Sequence, residues 1–224
     1  MESLEPNKLV FSENLGSGIK SLIISPHADD EVLGCGGILD KTCFVYYCGL
    51  DESKVAPDPT HRISLEDREK EIGDVSDFLG FQYAINRDTK VNFYQEQELI
   101  SAFEKQINDL KPERIFIPLP SYNQDHKTVY RAAQVALRPH DKNHFVKQVL
   151  IYEQPHSIIW DQGDFKPTYF VPINIERKIE AYELQPSQVR PFRSPDLLRA
   201  IAKVRGSQSN CDYAEAFKVE RWVE

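Results

Sequence analysis

Two short stretches carry the residue types that chemistry needs. The first is Pro26-His27-Ala28-Asp29-Asp30-Glu31, with one imidazole and three carboxylates in succession. The second is Ser121-Tyr122-Asn123-Gln124-Asp125-His126. Charges at that density are costly to bury unless solvent, a helix terminus or a metal compensates them. His27 and Asp30 are three residues apart, so a strand-to-helix turn can bring both side chains to one metal ion. His126 can supply a third ligand from a second such turn. Two histidines and a carboxylate, with one position left for water, is how catalytic zinc is held. Asp29 lies between the two ligands of the first stretch and is placed to act as a base on that water. The competing reading is helix capping, since Asp in a first turn satisfies free N–H groups and suits the helix dipole. Two clusters with two histidines weigh against capping alone.

Positioning these residues requires strands that stop just before them. "SLIIS" (21–25) and "CFVYYC" (43–48) are apolar runs rich in β-branched and aromatic residues, the mark of buried parallel strands. Residues 31–40 leave room for a crossover helix, and "GLDESKVAPDPTH" reads as a loop. Apolar positions 65, 72, 75, 78 and 79 define a helix ended by Gly80, and a second runs over about residues 95–110. "RIFIPLP" is the next strand, "DHKTVYRAAQVAL" a helix and "KQVLIYE" another strand. This alternation predicts an α/β fold, a Rossmann-like three-layer sandwich with a mostly parallel sheet. Residues 155–176 read as an irregular loop with a strand or hairpin, and "ERKIEAYELQ" and "SPDLLRAIAKVRG" as two further helices. With no repeat or linker, residues 1–224 form a single domain in this reading. Sites in such sheets form beyond the carboxyl ends of strands, so both clusters share one edge. The glycines of "GCGG" (34–37) lack the dinucleotide spacing and are expected to let the helix approach the sheet closely.

Composition narrows the classes of partner. The 224 residues are 41% hydrophobic and carry a net charge of -8. That balance argues against a general nucleic-acid binder and against docking on anionic lipid. No apolar run approaches the roughly 18 residues of a membrane span, and the first residues lack the pattern of a signal peptide. Four cysteines without C-x-x-C spacing fit free thiols in a reducing compartment, so a cytoplasmic protein is expected.

"PHADDEVLGCGG" resembles the His-Pro-Asp-Asp-Glu and Gly-Cys-Gly-Gly signature of the PIG-L/LmbE-like zinc N-deacetylases. "LEDREKEIGDVSDFLGF" is similar to the family's Arg/Glu-rich helix ending in Leu-Gly. "NQDHKTVYRAA" is similar to its H-P-D-H motif, and "YAEAFKV" to its C-terminal signature. The resemblance implies one zinc ion, or another divalent metal, on His27, Asp30 and His126, with Asp29 as the base. It implies removal of an acyl group, usually acetyl, from a small-molecule amino-sugar substrate of the N-acetylglucosamine type. Asp125 is expected to orient a ligand ring, and Arg68 corresponds to an arginine that touches sugar hydroxyls. Ala28 replaces the usual proline, and Asn123 stands where the family has the first His of H-P-D-H. An Asn amide can donate a hydrogen bond to an oxyanion but cannot release a proton. Asp29 would then both take the proton from water and return it to nitrogen, with Asn123 as the oxyanion donor. His140, His144 and His156 read as surface or structural residues rather than replacements. The loops at 49–61 and 153–167 are expected to line the pocket, with Trp160 or Tyr122 stacking on a sugar. The alternative is a metal- or sugar-binding descendant that has lost turnover, a reading the intact Asp29 disfavours. A phosphoesterase is opposed by the scarcity of basic residues near the motifs.

Overall fold

The computed structural model describes residues 9–12, 18–51, 63–159 and 165–224. In chain order these form β1 (Leu9–Phe11), β2 (Ser21–Ser25), α1 (Asp30–Cys35), β3 (Cys43–Tyr47), α2 (Leu65–Leu79), β4 (Gln82–Asn86), α3 (Glu96–Leu110), β5 (Arg114–Pro118), α4 (Gln124–Ala136) and β6 (Gln148–Tyr152). There follow α5 (Pro155–Ile159), β7 (Tyr169–Pro172), α6 (Ile175–Glu183), a 3-10 turn (Pro191–Arg193), α7 (Pro195–Gln208) and β8 (Ala214–Trp222). The strands make one sheet in the order β1-β4-β3-β2-β5-β6-β8-β7. Its five central strands, β4 to β6 in that order, are parallel, while β1 pairs antiparallel with β4, β8 with β6, and β7 with β8.

The central strands are buried on both faces, as continuous apolar runs require. Every position of β2 and β3 is buried. Successive side chains point to opposite faces of a strand, and two cores result. Ile23, Val45, Ile85, Phe116 and Leu150 pack with α1, α2 and α6. Leu22, Ile24, Phe44, Ile115 and Ile151 pack with α3 and α4. This is the expected three-layer sandwich.

The chain steps from β2 to β3 on one side and later returns to β5 on the other, where Ser21 pairs with Arg114 and Ile23 with Phe116. Between β2 and β5 the winding direction reverses, and such a reversal opens a crevice at the carboxyl ends of the strands. Both polar stretches leave the sheet there.

Several elements differ from the expectations. The crossover helix after β2 is six residues long, Asp30–Cys35. β4 has polar ends and only Ala84 and Ile85 buried, so no apolar run announced it. Strand β7 does not form a local hairpin; it pairs with β8, which arrives after α6 and α7. The cysteines are free as expected, and among the described residues no helix is long and apolar enough to cross a membrane.

Gly34, inside α1, has the packing role expected of it against the sheet, and Gly37, just after the helix, is also tightly packed. A Cβ built on Gly34 would lie 2.2 Å from Cδ2 of Tyr152, and one on Gly37 would lie 2.4 Å from Cγ2 of Ile173. Tyr152 is wholly buried and donates its hydroxyl to Ile24 O at 2.7 Å, so its ring cannot swing away cheaply. Beneath the same helix, Lys178 Nζ lies 2.7 Å from Glu215 Oε1, and Gly37 N donates to that oxygen at 2.8 Å. Gly34→Ala should therefore destabilise the fold by about 1–3 kcal/mol through overpacking. Thermal and urea denaturation measure it; an unchanged midpoint would show that α1 can retreat from β6.

Candidate metal centre and active site

The turn after β2 gathers its polar groups on one oxygen. Asp30 Oδ2 accepts the backbone N–H of His27 at 3.0 Å and lies 3.2 Å from His27 Nδ1. His126, in the first turn of α4, brings Nε2 to 3.2 Å from the same oxygen. The ligand atoms of His27, Asp30 and His126 all lie within 4.8 Å of one another, so the three expected ligands come together. On its far side His27 Nε2 lies 2.9 Å from Asp125 Oδ2, which also accepts the N–H of Asn92 at 2.8 Å. A carboxylate on the distal nitrogen fixes the tautomer and orientation of a ligating imidazole. Burial opposes charge on His27, but the bonds to Asp125 and Asp30 prevail and push its pKa up to about 10. Burial likewise opposes ionisation of Asp30, and His126 and His27 prevail, holding it well below the usual carboxylate range. This electrostatic preference for a central positive charge, with its N, N, O donor set, fits a divalent cation.

Asp29 is 2% exposed and has φ 112°, ψ -27°, in the left-handed half of the map. Such a backbone is strained for any residue but glycine and persists only where its surroundings enforce it. Here the enforcing group is Glu31, wholly buried, whose Oε2 accepts the N–H of Asp29 at 3.0 Å. Its Oε1 accepts from Gln185 Nε2 at 2.9 Å, so α6 steadies the clamp. Burial raises the Asp29 pKa to about 7 against the pull of Arg193, whose Nη1 lies 2.6 Å from Asp29 Oδ2. The contact is an ion pair without hydrogen-bond alignment.

Above these residues opens a cleft of about 360 Å³, walled further by Asn123, Tyr122, Gln154, His156, Phe192 and Arg193. Asn123 caps α4, its Oδ1 accepting the N–H of Asp125 at 2.8 Å. The cap leaves its NH2 as the remaining donor at the cleft wall. Arg68, expected to touch substrate hydroxyls, lies near enough to Asp29 for its charge to lower the pKa of that carboxyl. It is 3% exposed and absent from the cleft wall, and its Nη1 donates to Ser187 Oγ at 3.0 Å. The Arg/Glu face of α2 turns inward, and Glu71 Oε1 accepts the N–H of Ser187 at 2.9 Å. That bond fixes the segment whose next residue, Gln188, accepts from Arg193 Nε and Nη2, each at 3.0 Å. The arginine that reaches the cleft is thus Arg193.

His140 and His144 bond to Asn143 and Pro112 away from the cleft, as expected of structural residues, whereas His156 stands on its wall. Trp160 and most of the 49–61 loop lie outside the described residues. Glu31, Arg193 and Phe192 had no assigned role. For Glu31 the signal was present, as a fourth charge adjoining the ligands; Arg193 and Phe192 sit in a stretch without a motif. An amide at position 31 would turn its NH2 against the N–H of Asp29 or the NH2 of Gln185. Glu31→Gln should therefore cost about 1–3 kcal/mol, the penalty for an unmet buried donor. Chemical denaturation reads it, and wild-type stability would show that Glu31 is not the clamp.

The sequence matches the family model described as PIG-L, GlcNAc-PI de-N-acetylase, over residues 22–137. No curated protein matches it significantly. Among solved structures, the chain is similar to the N,N'-diacetylchitobiose deacetylase of Pyrococcus horikoshii at 21% identity and TM-score 0.64, covering 90% of this chain and 84% of that one. A deacetylase of the teicoplanin biosynthesis pathway gives 19% identity and TM-score 0.70, covering 89% and 97%. The 4-carboxy-2-hydroxymuconate hydratase of Pseudomonas putida KT2440 gives 18% and 0.74, covering 92% and 99%. At such identities the likeness establishes the fold, and the hydratase shows that the fold hosts more than one reaction. With more than half of its length matched, and with the motif residues gathered at one sheet edge, this chain belongs to the PIG-L family.

Proposed function

We propose that the protein is a zinc-dependent N-deacetylase acting on an N-acetylglucosamine-type amino sugar or glycoconjugate. The observation that carries this reading is a buried, strained carboxylate, Asp29, beside the convergent donors of His27, Asp30 and His126 at the floor of an open cleft. Family membership supports the same reaction class. A divalent metal, when bound, supplies Lewis acidity that acidifies the attacking water and polarises the acyl oxygen.

The chain's own residues do the rest. Asp29, with a pKa near neutrality, accepts the proton of the attacking water and is held in place by Arg193 and by its own constrained backbone. The NH2 of Asn123 donates to the acyl oxygen as charge develops on it. Asp29 then returns the proton to the nitrogen, and acetate and a free amine leave. Tyr122 and Phe192, exposed by 52% and 43%, offer aromatic faces to a pyranose at the cleft wall. A binding protein that had lost turnover would have no use for the strain at Asp29, since such strain is kept where function needs it.

Two outcomes follow. His27 must surrender its proton to bind metal, and below its raised pKa the proton competes. Zinc affinity should therefore rise with pH, by roughly tenfold per unit for one displaced proton. Competitive chelator titrations between pH 6 and 8 check this, and a flat profile would remove His27 as a ligand. Asp29→Asn should keep the metal and lose ~10²–10⁴-fold in turnover, the usual cost of removing a general base. Acetate release from a panel of N-acetylated sugars and nucleotide sugars, with zinc added, measures it. A variant retaining a tenth of wild-type activity would assign the base to another residue.

A further inference from the structure

The connection from β4 to α3 reaches the cleft at Asn92, a residue to which neither the motifs nor the proposed mechanism gives a task. Its backbone is fastened on both sides. The Asn92 N–H donates to Asp125 Oδ2 at 2.8 Å, the same oxygen that lies 2.9 Å from His27 Nε2. The Asn92 carbonyl accepts Gln124 Nε2 at 3.3 Å, and the nearby Tyr94 hydroxyl donates to Pro26 O. The segment is thereby locked to both turns that carry the metal donors. Asn92 has φ 70°, in the left-handed region that asparagine enters more readily than most residues bearing a side chain. That preference accounts for the backbone but not for the amide. The side chain of Asn92 is half-buried on the cleft wall, forms no hydrogen bond among the described residues, and keeps its polar atoms accessible to solvent. The other amides on that wall are committed. Asn123 Oδ1 accepts from Asp125, Gln154 Nε2 donates to Asp30 O, and Gln188 accepts from Arg193 while its Nε2 donates to Ser187 Oγ at 3.1 Å. Arg68 is absent from the wall, so the reading of sugar hydroxyls falls to another group.

We propose that Asn92 is a specificity-determining residue of the deacetylation site: its side-chain amide reads two adjacent ring hydroxyls of the amino sugar, Nδ2 donating to one and Oδ1 accepting from the other. A hydroxyl both donates and accepts, so an amide with one end of each kind suits a neighbouring pair. On a glycoside of N-acetylglucosamine the glycosidic bond takes O1, the acetamido group takes carbon 2, and O6 lies off the ring. O3 and O4 are then the ring's adjacent pair. A pyranose whose acetamide sits over the donors of His27, Asp30 and His126 turns these hydroxyls to the wall, with Tyr122 and Phe192 against its faces. Asn92 moves no proton; it selects which sugar is held while Asp29 acts.

This inference rests on the N-deacetylase reading, and affinities measured beside turnover keep the two apart. Methyl N-acetyl-β-glucosaminide and its 3-deoxy, 4-deoxy and 6-deoxy forms are tested on zinc-loaded wild type and Asn92→Gly, by acetate release and by calorimetric titration. Glycine keeps the left-handed backbone and the N–H to Asp125 and removes only the amide, so zinc affinity and the thermal midpoint should stay near wild type. In wild type, loss of O3 or of O4 should raise KM and Kd by about three- to tenfold, the scale of one hydrogen bond, and loss of O6 should not. Asn92→Gly should weaken the parent glycoside by about tenfold with kcat little changed, and should hold the parent, 3-deoxy and 4-deoxy forms alike. A variant that discriminates among the deoxy forms as wild type does overturns the proposal, as does a wild type indifferent to O3 and O4. Loss of zinc in Asn92→Gly overturns it too, reducing Asn92 to a support for His27. Wild type that binds none of the glycosides has the same consequence. Wild type that binds the parent through Asn92 but releases no acetate would uphold this contact and remove the N-deacetylase reading.

Discussion

Asp30 Oδ2 is the point on which the rest of the site hangs. It receives a backbone N–H and faces two imidazole nitrogens that arrive from different strands. One carboxylate oxygen cannot satisfy three such neighbours unless positive charge is shared among them, as a proton or a metal. That demand orients the turn after β2 and sets the depth at which α4 enters. It also makes the second carboxylate, Asp125, useful, because His27 is then gripped at both ring nitrogens. The sheet's contribution is to place β2 and β5 side by side with their carboxyl ends level.

Beside this converging group the chain accepts a locally unfavourable backbone. Asp29 could relax to an ordinary helical or extended conformation only by releasing Glu31, which is itself held by Gln185 from α6. The two residues form a lever: a buried carboxylate with no catalytic assignment keeps another carboxylate pointed at the cleft. Burial lifts both acids to about 7, reinforced at Glu31 by the charge of Asp29 and at Asp29 by that of Asp30, while Arg193 offsets the charge on Asp29. A base poised in this range can accept a proton and give it back near neutral pH, which suits a site without a histidine at position 123.

What could be read from the sequence was local. His27 and Asp30 sit three apart at the end of an apolar run, and that spacing survives folding unchanged because one turn contains it. Strands β2, β3, β5 and β6 announce themselves for the same reason, each being buried on both faces. β4 is half polar and needs β1 and β3 beside it to be a strand at all. The pairing of β7 with β8 spans α6 and α7, so nothing local encodes it. Arg68 and Arg193 show the same boundary. The helical period of α2 gave no sign that its charged face turns inward onto Ser187. Arg193 meets Asp29 across 164 residues of chain, a distance that no motif spans.

The two halves of the site also differ in where they come from. The metal turn, Asp29, Asn123 and His126 lie within residues 22–137, whereas His156, Phe192 and Arg193 lie beyond them. Polar contacts that join the parts at the site include Gln154 to the carbonyl of Asp30, Gln185 to Glu31, and Arg193 to Asp29. A tool and its handle are thus coupled through a small fitting. Evolution can recut the outer wall for a new ligand while the inner turn stays as it is, provided that two amides and one guanidinium still reach across. In such a scaffold, drift in selectivity is cheap and drift in chemistry is slow.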